Sequence, residues 1–290
     1  FTNVLNLVID NHAQWFVVVP GALNLVQGPV NYQMCLRMGV KAENLQLVGH
    51  WIPRELVDNI PDDCKRRIAR AKSGHGGNEG SKKPRRVLIP VGGAGAQRKF
   101  IVEFMRALGP LVKAGEVQLF LNAGDHKHMK KAFLRALDEM GVKDFDTVGT
   151  AEGVKKFHDR LLDPTNEPHA NVTLFAFDDY FPAVATTDVL SRVTDILACK
   201  PSELAFYPVP KLMIRRVGDH EQYSALRAAE LGDGTLEARE ISDAMCNMDL
   251  FVGGYELLTQ MNESIMANKE IGLYDGCKNA VKIALEKAKA

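Results

Sequence analysis

Short runs of hydrophobic residues alternate along the chain with longer segments in which apolar residues recur at helical spacing. The hydrophobic runs predict strands at 4–9, 16–19, 45–48, 87–91, 117–122, 145–148, 172–177, 195–199 and 211–214. The amphipathic segments predict helices at about 30–38, 98–108, 127–140, 151–162, 183–193 and 202–207. Because strands and helices alternate, we predict an α/β protein built on doubly wound parallel sheets.

A polar, glycine-rich stretch at 73–86 interrupts this alternation and has the composition of a flexible linker. After about residue 221 the patterns are helical only. We therefore expect an N-terminal domain at 1–72, a linker at 73–86, a larger domain at 87–235 and C-terminal helices at 236–290 that pack back across the boundary. Since the chain opens directly on a strand, we expect the N-terminal domain to be incomplete.

Charge and cysteine content narrow the functional classes. The chain has 36 basic and 36 acidic residues, so no overall field favours nucleic acid or an anionic membrane. The five cysteines are widely spaced and form no metal-binding pattern, which favours free thiols in a reducing cytoplasm and predicts no metal site. We also expect no cofactor. No apolar run approaches the length of a transmembrane helix, so we expect a soluble, cytoplasmic protein.

The sharpest chemical signal is a glycine loop between a predicted strand and a predicted helix. It comprises Gly92, Gly93, Ala94, Gly95, Ala96 and Gln97. Glycines let the backbone approach a phosphate closely, and the helix N-terminus adds free N–H donors, so a diphosphate would fit there. The spacing is not that of a dinucleotide fingerprint, and the next strand ends without the acidic residue that NAD binding requires. The alternative is a plain tight connection.

Two further strand ends carry polar residues. Lys200, Ser202 and Glu203 follow the strand at 195–199, although Ser202 could instead cap the next helix with Glu203 in its first turn.

The strand at 211–214 leads to Arg215, Arg216, Gly218, His220 and Glu221, where the cations could face an anion and Glu221 a sugar hydroxyl. A solvated loop capped by Asp219 is the alternative. In a parallel sheet such strand ends share one edge. We therefore predict that Lys200, Glu203, His220 and Glu221 lie together near the glycine loop.

Taken in order, these segments resemble the GT-B glycosyltransferases that include the lipid II-forming N-acetylglucosaminyltransferase and monogalactosyldiacylglycerol synthase. The glycine loop is similar to the one that opens their C-terminal domain. The passage from Asp195 to Ser202 and the Gly218–Glu221 turn are similar to later donor-site motifs. Asp10-Asn-His12 and Val48-Gly-His-Trp-Ile-Pro53 are similar to the end of their acceptor domain. The resemblance covers about residues 1–235.

The resemblance implies a metal-independent transferase that binds a nucleotide-sugar donor of the UDP type and passes the sugar to an acceptor, which could be a lipid or a glycan. Gly92, Gly93, Ala94, Gly95, Gln97, Lys200, Ser202, Glu203, Gly218, His220 and Glu221 would form the donor site. His12 is the candidate catalytic base that this sequence retains, whereas His50 is expected to be a packing residue.

Two departures from the family pattern keep other functions open. Ser202 stands where the family has glycine, and Pro208 stands where it has the glutamate that holds the ribose. A non-catalytic protein that binds nucleotide-sugars, or a scaffold of the same fold, therefore remains an alternative. A sugar-nucleotide epimerase is another, because that activity uses the same two-domain fold.

Overall fold

The structure is a computed structural model that describes residues 4–75, 81–92, 95 and 97–289. The described strands form two sheets, and every pairing in them is parallel. The smaller sheet has the order β1-β2-β3, and the larger has the order β6-β7-β5-β4-β8-β9. The strands are β1 (Leu5–Leu7), β2 (Leu23–Val26), β3 (Leu45–Leu47), β4 (Arg85–Pro90), β5 (Val117–Asn122), β6 (Asp146–Val148), β7 (Val172–Phe175), β8 (Ile196–Cys199) and β9 (Lys211–Met213).

Helices flank these sheets. They are α1 (Pro29–Arg37), α2 (Arg54–Lys72), α3 (Arg98–Lys113), α4 (Lys127–Glu139), α5 (Ala151–Leu162), α6 (Tyr180–Ser191), α7 (Gln222–Glu230), α8 (Ile241–Gly253), α9 (Glu256–Glu270) and α10 (Gly276–Lys287). The doubly wound parallel arrangement predicted from the alternating pattern is confirmed. Among the described helices, none is long and apolar enough to cross a membrane.

The larger sheet is buried on both faces, which explains why its strands appear as continuous hydrophobic runs. Val87 and Ile89 of β4 belong to the cluster formed with α3, α4 and α8. Leu88, between them in sequence, belongs to the opposite cluster formed with α5, α6 and α7. Successive side chains of a strand point to opposite faces, so a single hydrophobic run supplies both cores.

The strand predicted at 16–19 is wrong. Residues Trp15–Val17 form a short 3-10 turn, and the strand is instead β2. Asn24, in the middle of β2, is fully buried and is satisfied locally, since it accepts hydrogen bonds from Asn6 Nδ2 at 2.7 Å and from Val19 N at 3.1 Å. A buried but fully bonded polar residue breaks the hydrophobic pattern without cost to the fold.

Strand β4 begins at Arg85, two residues earlier than the predicted strand and inside the segment predicted as a linker. Arg85 and Arg86 are the buried first residues of β4. Arg85 Nε donates to Phe251 O at 2.8 Å, and Arg86 Nη2 donates to Asn166 O at 2.6 Å. Two consecutive charged residues predict an exposed loop. Here the guanidinium group of each arginine instead has hydrogen-bond partners far away in the sequence. Residues 76–80 of the predicted linker lie outside the described part of the chain.

The C-terminal helices return to the N-terminal part of the molecule. Helix α9 packs along α2, and α10 covers one face of the smaller sheet, where Ile283 joins Leu25 and Val48 in an apolar cluster. Asn279 Nδ2 donates to Val48 O at 2.9 Å. Both helices therefore bridge the first and last segments of the chain, in the way that their amphipathic patterns predict.

Candidate functional site

The candidate site lies where the strand order of the larger sheet reverses. Strand β4 pairs with β5 on one side and with β8 on the other, so the chain winds outward in both directions from the β4–β8 pair. Gly92 follows β4, and Lys200 follows β8. A Cβ placed on Gly92 would lie 3.5 Å from Lys200 Cε. Ligands of doubly wound sheets bind in the crevice at such a switch point, outside the carboxyl ends of the strands.

The glycine loop turns sharply before α3. Gly95 adopts a left-handed conformation with φ of +59° and donates its N–H to Gly92 O at 2.8 Å. Gln97, which directly precedes α3, is also left-handed with φ of 67°, and its side-chain amide donates to Arg215 O. The Gln97 amide therefore ties the loop to the segment after β9. Gly93 and Ala94, two of the predicted phosphate-contacting residues, lie outside the described residues.

Lys200 and Glu221 form an ion pair at this edge. Glu221 is 5% exposed, and its Oε2 accepts the backbone N–H of Val217 at 2.6 Å and of Gly218 at 3.2 Å. Burial alone would raise the pKa of Glu221, but the hydrogen bonds from Lys200 and from these amides outweigh burial and lower the pKa. Glu221 is thus an ionised carboxylate that holds both the turn and the Lys200 ammonium.

The structure brings Gly92, Lys200 and Glu221 together at this edge. His220 and Glu203 are both exposed, and the described hydrogen bonds and ion pairs do not join either side chain to Lys200 or Gly92. The His220 ring instead lies against Gly218, where a Cβ would meet it at 2.5 Å.

Ser202 is half-buried at the start of a 3-10 turn at Glu203–Phe206, and its side chain makes no capping hydrogen bond there.

The two arginines after β9 differ in their surroundings. Arg216 is engaged by the protein itself, since its Nη1 lies 2.9 Å from Glu237 Oε2 and its Nη2 lies 3.3 Å from Asp219 Oδ1. Arg215 is exposed, and its carbonyl is the acceptor for Gln97. Arg215 is therefore the better placed of the two to meet an anion at the glycine loop.

His12 reaches the same region from the smaller sheet. Its ring stacks on Tyr223 with centroids 4.4 Å apart and planes inclined by 22°. The neighbouring Asn11 Nδ2 donates to Tyr223 O at 2.9 Å. Tyr223 lies two residues after Glu221, the ion-pair partner of Lys200. The loop after β1 therefore contacts the chain next to that ion pair. His50, in contrast, is buried between Phe206 and Tyr274, as its expected packing role requires.

Sequence reasoning missed two histidines that border the glycine loop. A Cβ on Gly95 would come within 2.8 Å of the His128 ring and 3.5 Å of His126 Nδ1, and the two rings lie 5.5 Å apart. Both follow β5, whose end was considered only for an acidic residue. The signal was present, because His126 and His128 stand at the carboxyl end of the neighbouring parallel strand. Within the described residues, no group of three or more His, Cys, Asp or Glu side chains could hold a metal ion.

Comparison with solved structures places this architecture among GT-B-like folds. WaaG, a glycosyltransferase involved in lipopolysaccharide biosynthesis, is similar with a TM-score of 0.52 and 14% identity over 90% of this chain and 62% of its own. UDP-GlcNAc 2-epimerase from Neisseria meningitidis bound to UDP-GlcNAc gives 0.55 and 10% identity, over 91% and 61%. The MnaA–UDP complex of S. aureus gives 0.51 and 10%, over 83% and 55%. The predicted GT-B-like fold is confirmed.

The chain spans about three-fifths of the length of these solved structures. No curated protein matches its sequence. A match to the family described as "Domain of unknown function (DUF6938)" extends over residues 40–285, and the chain belongs to that family.

Proposed function

We propose that the protein binds a nucleotide-sugar of the UDP type at the β4–β8 switch point and transfers the sugar to an acceptor. The observation that carries this proposal is the position of Gly92 opposite Lys200, at the entrance to α3. This position suits a diphosphate for three reasons: the glycine has no side chain to block its approach, Lys200 supplies a positive charge, and the N-terminus of α3 supplies N–H donors. The solved WaaG and epimerase structures, which share the fold, support a sugar nucleotide as the ligand.

The same groups would act in the reaction. When the bond between the sugar C1 and the diphosphate oxygen breaks, negative charge develops on the leaving diphosphate. Lys200, the exposed Arg215 and the N-terminus of α3 would stabilise that charge without a metal ion. Because Glu221 already accepts hydrogen bonds from Lys200 and two amides, its role in the proposal is to position Lys200.

His12 is the proposed general base for the acceptor hydroxyl. His12 is half-buried, and its ring is stacked on Tyr223, two residues after Glu221. A base must reach the hydroxyl that attacks the sugar C1, and the contact with Tyr223 is the observation that supports this role for His12. Transfer to a lipid or a glycan, as in the lipid II-forming and galactolipid-forming enzymes, is the finer form of this proposal.

An epimerase is the second candidate, favoured by the two fold neighbours that carry UDP or UDP-GlcNAc. An epimerase would alter the configuration of the sugar on its nucleotide and would need no acceptor. A non-catalytic protein that binds nucleotide-sugars is the third, and the departures at Ser202 and Pro208 favour it. The proposal includes a cytoplasmic location, for which the support is that all five cysteines are unpaired.

Equilibrium binding of UDP, ADP and GDP, measured by calorimetry, tests the binding step. We expect saturable binding of UDP that is at least tenfold tighter than that of ADP or GDP. Incubation with UDP-GlcNAc, with and without candidate lipid and glycan acceptors, then separates the activities: transfer releases UDP only with an acceptor, epimerisation changes the sugar without one, and a binding protein leaves the nucleotide-sugar intact. Absence of saturable binding of all three nucleotides would contradict the proposal.

A further inference from the structure

A groove runs between the solvent-facing sides of α3 and α4, outside the switch-point crevice. Its volume is about 630 Å³. Val102 of α3 and Ala132 of α4 line it between the charged residues. This size falls in the range of ordinary ligand pockets, which is roughly 300–1,000 Å³.

The charge of the groove is strongly one-sided. Five cations line it, with Glu103 as the single carboxylate among the lining residues; the cations are Arg98, Lys99, Arg106, Lys131 and Arg135. The chain as a whole has equal numbers of basic and acidic residues, so this excess is local. Because α3 supplies three of the cations and α4 two, an anion in the groove would be contacted from both walls.

One end of the groove is held in place by a shared carboxylate. Glu139 of α4 accepts a hydrogen bond from Arg106 Nε at 2.8 Å through one oxygen and from Arg135 Nε at 2.9 Å through the other. These bonds fix two guanidinium groups from different helices side by side. Each guanidinium has five N–H donors, so most of them remain available to a ligand.

The groove is distinct from the glycine loop but adjoins it. His128, whose ring lies against Gly95, also lines the groove at the end where Arg98 begins α3. Arg106 lies eight residues further along the helix, which corresponds to about 12 Å. A molecule that reaches Arg106 therefore occupies space beyond a diphosphate bound at the loop.

We propose that this groove is a second binding site, and that its ligand is a small molecule with several phosphate groups. Arginine recognises phosphate through paired hydrogen bonds, and three of the five cations are arginines. A concave site with cations on two walls suits a compact polyanion better than a flat membrane surface. This inference is independent of the proposed transferase activity, because none of its five cations is assigned to the donor site.

Binding of inorganic tripolyphosphate to the full chain tests the proposal, measured by calorimetry at 0.15 M salt, where weak long-range attraction is screened. Because the proposed donor site also suits a polyphosphate, the titration is run with and without saturating UDP, and we expect one saturable site that UDP does not block. The double variant Lys131→Glu/Arg135→Glu should weaken binding at least tenfold. The matched control is Lys278→Glu/Lys282→Glu on α10, which has the same change in charge and the same spacing. Lys282 lies near Glu286 as Arg135 lies near Glu139. The control should change the affinity less than twofold.

Two results would overturn the proposal: no saturable binding by the unmodified protein, or equal weakening in both double variants, which would indicate a response to net charge alone. Thermal unfolding of each variant establishes that it is folded, and all four replaced residues are exposed or half-buried on helix surfaces. UDP binding by the same variants provides a separate readout, because UDP is proposed to bind at Gly92. In the unmodified protein, saturable tripolyphosphate binding without UDP binding would contradict the transferase proposal only.

Discussion

Gly92, which has no side chain, leaves space for a ligand next to the positive charge of Lys200. Among the described residues near the loop, Gln97 and Arg216 already use their polar groups within the protein, whereas Lys200 is partly accessible and Arg215 is exposed. The distinction matters because a ligand needs donors that the protein leaves open, and the Lys200 ammonium has three N–H donors besides being paired with Glu221. The sequence alone could not separate these roles, since all four are polar residues at strand ends.

Gly92→Ala is the sharpest test at this scale. The new methyl group would lie about 3.5 Å from Lys200 Cε, an ordinary contact, and Gly92 does not require a positive φ. We expect a change of less than about 1 kcal/mol in the free energy of unfolding. UDP affinity should fall at least tenfold, because the methyl group fills the space between the loop and Lys200. Calorimetry and denaturant unfolding measure the two effects.

Gly253→Ala serves as the matched control, since a Cβ at Gly253 meets no atom within 4 Å and its φ is not positive. This control should leave UDP affinity unchanged. If Gly92→Ala retains the affinity of the unmodified protein, the glycine loop is a plain connection and the donor-site proposal loses its main support.

At the scale of elements, hydrophobic runs located most strands of the larger sheet, although the two arginines that open β4 were missed. All six residues of β5 are buried, and its bounds at Val117–Asn122 are those predicted. Helix α2 was not anticipated, because its inner face carries Arg67, which donates to Thr194 O at 2.8 Å and Ser191 O at 2.7 Å. Buried polar residues whose partners lie more than 100 residues away leave no periodic signal in the sequence.

The candidate site was partly predictable for a topological reason. Strand ends that precede helices share one edge of a parallel sheet, so Lys200 and Glu221 could be placed near Gly92 without coordinates. The groove could not be predicted, because its cations belong to two helices whose adjacency follows from the pairing of β4 with β5. The hydrophobic pattern of one strand does not indicate which strands are its neighbours in the sheet.

The buried His50, which lies between β3 and α2, leads to a prediction about how the free energy of unfolding depends on pH. Burial, followed by the nearby charges of Arg227 and Lys211, lowers the pKa of His50 to about 3. Between pH 6.5 and 3 the unfolded chain therefore binds a proton that the folded protein does not. The free energy of unfolding should fall as the pH decreases across this window, by up to about 1.4 kcal/mol per pH unit from this residue.

Denaturant unfolding of the unmodified protein and of His50→Gln, measured between pH 8 and pH 4, tests this. The variant should show a shallower decline below pH 6.5. Above pH 6.5 the two slopes should agree, because the histidine is then neutral in both states. Equal slopes below pH 6.5 would mean that His50 is accessible to protons in the folded protein.

For the whole molecule, the division at residues 73–86 remains a proposal that limited proteolysis can test. Trypsin should cut first in this segment, at Lys82, which is exposed. Lys83 is a poorer site, because Pro84 follows it and trypsin cleaves a Lys–Pro bond poorly. The two products should stay associated through α2 and α9, giving two bands on a denaturing gel but one species in size-exclusion chromatography. First cleavage within 87–235 would contradict the proposed boundary.

The return of α10 to the smaller sheet has a consequence for how the protein forms during synthesis. Val48 and its partner Asn279 are separated by 231 residues, and the apolar cluster that includes Leu25 is completed by Ile283. Within this chain the smaller sheet is synthesised before the larger one, whereas its cover, α10, is synthesised after it. The larger sheet, whose β/α units are contiguous from β4 to β9, can form in the interval. We therefore expect the smaller sheet to acquire its native packing after the larger sheet.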